Sequence, residues 1–199
     1  MRESDKTAAL ADAEAQDAAE PAVYILGAGH VGRELANLFQ HLPVRTVLID
    51  QRAGELALCS AAVEKRQSAI PEIDIMTAPP GSAFVVLTHD HGLDFLLASA
   101  ALERGDAAYV GLIGSATKAE RFRQRLAHRG FSDTDIARIR CPVGRSDVPG
   151  KRPMEVAVSI MAELLTLTAQ PDNPASKRGI SWQQLKGLLP EKETGDLPS

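Results

Sequence analysis

The sequence predicts an α/β protein with a doubly wound, mostly parallel sheet, in a single domain flanked by terminal tails. Three observations carry that prediction. From residue 21 onward, short apolar runs of strand length alternate with stretches of helical spacing. The first run enters a loop with glycines at 27, 29 and 32, followed at once by a helical pattern. The second run closes on an acid, Asp50.

Taken in order, the elements are these. Val23 to Leu26 is apolar throughout, as a strand buried on both faces must be, and strand one is placed at 22–26. The glycine loop leads into a helix over 30–41, and strand two runs 44–50. Strand, Gly-x-Gly-x-x-Gly and helix in that sequence form the opening unit of a Rossmann-like fold. Residues 61–65 read as a weak strand, and 70–80, rich in proline, as an irregular connector. Ala83-Phe-Val-Val-Leu-Thr88 is a buried strand. A helix over 93–104 follows, apolar at 93, 96, 97, 100 and 101 and ended by Gly105. Residues 107–113 form another strand, and 115–129 a helix stopped by Gly130. A short helix at 133–138 precedes Cys141-Pro-Val-Gly144, which looks like a further strand end. Pro153 opens the longest helix, to about 168. The domain therefore spans 21–169. Residues 1–20 read as an acidic mobile tail, and 170–199 as a proline-containing tail in which 180–189 is a candidate docking helix.

Composition narrows the function. Hydrophobic residues make up 44% of the 199, enough for a packed core, while aromatics are only 4%, too few for a base-stacking platform. The net charge of −4 is carried by the first twenty residues, where six acids face Arg2 and Lys6. The balanced remainder offers no basic field for nucleic acid. No apolar run approaches the roughly 20 residues that span a bilayer. The N-terminus has neither a signal-peptide nor a transit pattern, so a cytoplasmic protein is expected. Cys59 and Cys141 form no Cys-x-x-Cys or metal spacing and read as reduced thiols.

In an open parallel sheet, ligands gather beyond the carboxyl ends of the strands where the strand order reverses. Four loops qualify. In the first, Gly27 makes the tight turn, Gly29 lets a phosphate approach the backbone, Gly32 lets the helix pack close, and His30 can donate to a pyrophosphate. In the second, Asp50 suits an unphosphorylated ribose, whereas Arg52 suits a 2′-phosphate. The third holds Thr88, His89 and Asp90 within Thr88-His-Asp-His-Gly-Leu-Asp94. Asp90 or His91 can instead cap the following helix, and three consecutive residues cannot all ligate one metal ion. The fourth, Gly114 with Ser115 and Lys118, repeats the strand, glycine, hydroxyl and helix start and suits a second phosphate or carboxylate. The helix after it is basic at 118, 121, 123, 125 and 129, either a solvated face or a docking surface for an anionic ligand or acidic partner. Cys141 is the one cysteine near these loops and a candidate for sulfur or redox chemistry, although a Cys before Pro at a strand end more often packs than reacts. A nicotinamide-dependent oxidoreductase, binding NAD(P), is one reading of such a set, but residues 53–199 contain no hydride-transfer constellation such as Tyr-x-x-x-Lys.

From Ala22 to about Leu165 the chain resembles the Rossmann part of the XdhC/CoxI family, accessory proteins of xanthine dehydrogenase and related molybdenum hydroxylases. The resemblance rests on Val23-Tyr-Ile-Leu-Gly-Ala-Gly-His-Val-Gly32, Val47-Leu-Ile-Asp-Gln-Arg52, Leu87-Thr-His-Asp-His-Gly-Leu-Asp94 and Tyr109-Val-Gly-Leu-Ile-Gly-Ser115 with Lys118 and Arg121. Pro142-Val-Gly144 and Lys151-Arg-Pro-Met-Glu-Val-Ala-Val-Ser-Ile160 extend it. It implies a non-catalytic chaperone that binds molybdenum cofactor (molybdopterin), holds it while a cysteine desulfurase exchanges oxygen for sulfur, and delivers it to a xanthine dehydrogenase-type apo-enzyme. A homodimer is compatible with this. The family also implies a further N-terminal domain; about twenty residues precede strand one here, so its contribution is expected to be either missing or supplied by another chain.

Overall fold

The computed structural model describes residues 21–168, so the acidic segment 1–20 and the candidate docking helix at 180–189 lie outside the described residues. Six parallel strands alternate with helices: β1 (Val23–Leu26), α1 (His30–Phe39), β2 (Thr46–Asp50), α2 (Ala53–Ala57), β3 (Glu64–Gln67), α3 (Pro71–Thr77) and β4 (Ala83–Val86). Then follow α4 (His91–Glu103), β5 (Tyr109–Leu112), α5 (Ala116–His128), α6 (Asp133–Ala137), β6 (Ile139–Arg140) and α7 (Pro153–Thr168). The sheet order is β3-β2-β1-β4-β5-β6, and every pairing is parallel. The order reverses between β1 and β4, which fixes the ligand crevice at their carboxyl ends.

Strand side chains alternate between the faces, and each face has its own core. Tyr24, Leu26, Ile49, Phe84, Val86 and Leu112 pack with residues of α3, α4, α5 and α6. Val23, Ile25, Leu48, Val85, Leu87 and Tyr109 pack with residues of α1, α2 and α7. This division follows from the right-handedness of parallel crossovers: when the strand order reverses after β3, the connecting helices change face. Strands covered on both sides need no polar alternation, which is why they read as unbroken apolar runs.

Two expectations are corrected. The proline-rich connector at 70–80 contains a helix, α3, with Pro71 in its first turn, where the missing N–H costs nothing, and Glu72 and Asp74 beside the positive dipole end. The weak strand at 61–65 lies later, at 64–67, because Ala61 is buried in the second core while Glu64 to Gln67 pair with β2. As the sheet edge, β3 takes charged side chains freely: Arg45 reaches Glu64 at 3.1 Å and Arg66 reaches Asp74 at 2.8 Å. The short α2 was not anticipated. No helix among the described residues is long and apolar enough to cross a membrane.

Candidate functional site

The glycine loop is built by contact rather than by flexibility alone. Gly27 has φ +117°, and a Cβ there would lie 2.6 Å from the Leu87 carbonyl oxygen. A Cβ at Gly32 would lie 1.9 Å from the Gly27 carbonyl oxygen, so α1 presses directly on the turn. Around Gly29, in contrast, nothing stands within 4 Å of the added atom. Gly29 is also the N-cap of α1, so no side chain satisfies the first-turn N–H groups. That combination of open space and unsatisfied donors is what an anion needs.

Asp50 is 7% exposed, and its carboxylate is fully used. Oδ1 accepts the Arg52 backbone N–H at 2.8 Å and Arg52 Nε at 3.0 Å. Oδ2 accepts the Ala28 N–H at 2.7 Å and an Arg52 Nη at 2.8 Å. A carboxylate has about four acceptor positions, and here the protein fills them. Asp50 therefore tethers the glycine loop to β2, and Arg52 is held by Asp50 rather than poised for a 2′-phosphate. Arg33 braces the same turn, donating to the Ala28 carbonyl at 2.7 Å and to Glu55 at 2.5 Å.

Burial pushes the Asp50 carboxyl up, and the hydrogen bonds from Arg52 and Ala28 more than reverse this, holding it below the usual carboxylate range. A group with a depressed folded pKa adds stability that is present above its unfolded pKa, about 3.9, and is lost as pH falls through the folded value. Asp50→Asn should therefore lower stability at neutral pH and flatten its decline below about pH 4. Urea unfolding of both proteins across pH 2–7 checks this. Parallel pH profiles would mean that the tether carries no such linkage.

The β4–α4 loop divides its polar residues between structure and opening. Asp90 caps α4, accepting the N–H groups of Gly92 at 2.6 Å and Leu93 at 3.2 Å. His89 and His91 are exposed. Thr88 is turned inward, its hydroxyl 2.7 Å and its N–H 3.2 Å from Asp94 Oδ1. Asp94, completely buried, accepts Lys118 Nζ on its other oxygen at 2.7 Å. Lys118 also donates to the Ile113 carbonyl at 3.1 Å. Ser115 caps α5 through the Lys118 N–H at 3.2 Å. Gly114 makes room for this arrangement, since a Cβ there would lie 2.8 Å from Lys118 Cδ and 3.2 Å from Cys141 Sγ. Burial pushes the Cys141 thiol up, against the pull of nearby Lys118 and Arg123, which is the direction of an inert thiol rather than a nucleophile. Among the described residues no three His, Cys, Asp or Glu side chains are grouped to hold a metal ion.

Two openings result. A narrow cleft of about 20 Å³ lies between the glycine loop and α3, with Gly27, Asp50, Thr88 and His89 in its walls among apolar residues. A wide groove of about 610 Å³ lies along α5, with Thr88, Gly114, Ser115 and Lys118 in its walls. Thr88 belongs to both, so the two meet at the switch point. His30 stands exposed at the start of α1. Sequence reasoning missed Asp94 as an organiser. Its signal was present: an acid on the same helical stripe as Leu97, Ala98 and Ala101, all buried.

Strand order, glycine loop and crevice define a Rossmann-type α/β protein. The model of the XdhC Rossmann domain matches residues 23–164, and the chain belongs to that family. It is 26% identical over 149 residues to YqeB of Escherichia coli (strain K12), an uncharacterized protein, covering 73% of this chain and 27% of YqeB. The crystal structure of a xanthine dehydrogenase from Bacillus halodurans is 25% identical, with a TM-score of 0.62 over 79% of this chain and 46% of the other. The chain thus spans about a quarter of YqeB and under half of the solved relative.

Proposed function

We propose that this protein is an accessory factor in the maturation of a xanthine dehydrogenase-type enzyme, binding molybdenum cofactor in the crevice, holding it for a cysteine desulfurase and passing it to the apo-hydroxylase in the cytoplasm. Membership of the XdhC Rossmann domain family supports the accessory role. The observation that carries the choice of ligand is the state of Asp50. The carboxylate that would bind the ribose diol of NAD is occupied by Arg52 and Ala28, so a dinucleotide would have to break the tether of its own phosphate loop. A pyranopterin makes no such demand. Its anionic end needs only open space and donors, which Gly29 with the start of α1 offers on the glycine loop and Thr117 with Arg121 in the wide groove. Thr88 borders both openings and His89 the first, where they would bind the body of the ligand.

Calorimetry of the purified protein with molybdopterin cofactor, NAD and NADP tests the proposal. The cofactor should bind at micromolar dissociation constants or better, about −8 kcal/mol, and NAD(P) much more weakly. Tight NAD(P) binding that the cofactor does not displace would establish a dinucleotide protein instead. In reconstitution of the apo-enzyme, Cys141→Ser should be nearly silent, since a protonated half-buried thiol does not relay sulfur, whereas His89→Ala should lose bound cofactor.

A further inference from the structure

The basic helix α5 is not uniform once it is folded. Lys118 turns inward to Asp94, and Arg123 pairs with Glu120 at 3.6 Å. Thr117, Arg121 and Arg125, spaced four residues apart on one stripe of the helix, line the wide groove with Ser115 and His91. No acid is among the lining residues, although the whole chain carries a net charge of −4. Neither guanidinium has a carboxylate partner among the described residues. The Arg125 guanidinium lies 3.8 Å from the centre of the Phe95 ring, which fixes its stem without neutralising its charge.

Two unneutralised guanidiniums in an open groove carry an electrostatic cost that an anion would relieve. Their donor count says which anion. Two planar forks bound bidentately draw on four oxygen atoms. A terminal phosphate monoester exposes three, whereas two linked phosphoryl groups expose at least four, one pair for each fork. We infer that Thr117, Arg121 and Arg125 form a subsite for the diphosphate of a nucleotide-type ester, distinct from the glycine loop. The inference rests on the proposed cofactor reading and sharpens it: the crevice favours a pterin carrying a diphosphate-linked nucleotide over one ending in a single phosphate.

The test is calorimetry at low salt, with inorganic diphosphate and orthophosphate as probes. Wild-type protein should bind diphosphate about tenfold more tightly than orthophosphate, and Arg121→Gln and Arg125→Gln should each weaken diphosphate binding about tenfold, Arg121→Gln with unchanged Tm and Arg125→Gln with the small loss expected from its contact with Phe95. Arg123→Gln, on a side chain paired elsewhere, should leave it unchanged. Equal diphosphate affinity in wild type and the Arg121→Gln/Arg125→Gln double variant overturns the subsite, as does an equal loss in Arg123→Gln, which would indicate diffuse charge. The two pterin forms are then titrated. If wild type binds neither while diphosphate binding still needs Arg121 and Arg125, the cofactor reading falls and the subsite stands. If the nucleotide form binds wild type and the double variant alike, the subsite falls and the cofactor reading stands.

Discussion

Lys118→Ala is expected to lower unfolding stability by about 3–5 kcal/mol, the range for stranding one member of a buried ion pair. Asp94 has no exposed surface, and its oxygens are divided between Thr88 and Lys118. Removing the ammonium leaves a carboxylate in the core with the Thr88 donors and, 3.7 Å from its other oxygen, His91 Nδ1 to stabilise it. Lys118 read from sequence as an exposed point charge gripping an anion, and that role would have cost little stability. With two Nζ donors committed inside the protein, its larger task is to join the β4–α4 loop, α4 and the β5–α5 loop at the switch point. The partner substitution separates the possibilities. Asp94→Asn keeps an oxygen for Thr88 while removing the charge, so Asp94→Asn/Lys118→Ala should be markedly more stable than the sum of the single losses predicts. Urea unfolding of the four proteins of the cycle measures this. A Lys118→Ala loss below about 1 kcal/mol, or strict additivity, would return Lys118 to the surface.

β1, β4 and β5 were legible because each is covered on both faces and needs no polar residue. The glycine loop was legible because backbone contact leaves no choice of residue at 27 and 32. The elements that were misread lie where tertiary context decides. β3 is Glu-Lys-Arg-Gln, with no apolar signal, and exists because β2 offers a free backbone edge. α3 is hidden by the prolines around it and by Ile73 and Met76, which stay exposed and blur its apolar stripe. Within the site, residue types were legible but allegiances were not. Asp50 and Arg52 stand two positions apart at a strand end, and no spacing rule says that they satisfy each other. Asp90 and Asp94 look equivalent in sequence. One caps a helix in solvent and the other is the buried centre of the crevice, a difference set by which face of α4 meets the sheet.

Gly32→Ala should destabilise the fold by upwards of about 3 kcal/mol, while Gly29→Ala, three residues away, should cost within about 1 kcal/mol and act on binding instead. At Gly32 the new methyl would sit 1.9 Å from a backbone oxygen, a contact that no rotamer change relieves. The turn cannot retreat, because Gly27 is itself packed against the Leu87 carbonyl and its conformation is tied to Asp50 through the Ala28 N–H. Either α1 lifts from β1, opening the core around Ile25 and Leu35, or the turn breaks. Both count as overpacking of a rigid neighbourhood rather than loss of a contact. At Gly29 the same methyl meets nothing within 4 Å, and φ is −65°, open to any residue. The modest cost there comes from alanine being a poorer N-cap than glycine. The methyl would, however, fill the space through which a phosphate reaches the first N–H groups of α1. Thermal unfolding and cofactor titration of both variants separate the roles: Gly32→Ala should fail in the first measurement and Gly29→Ala in the second. A Gly29→Ala protein with full stability and wild-type affinity would remove the glycine loop from the binding site and leave the α5 groove as its centre.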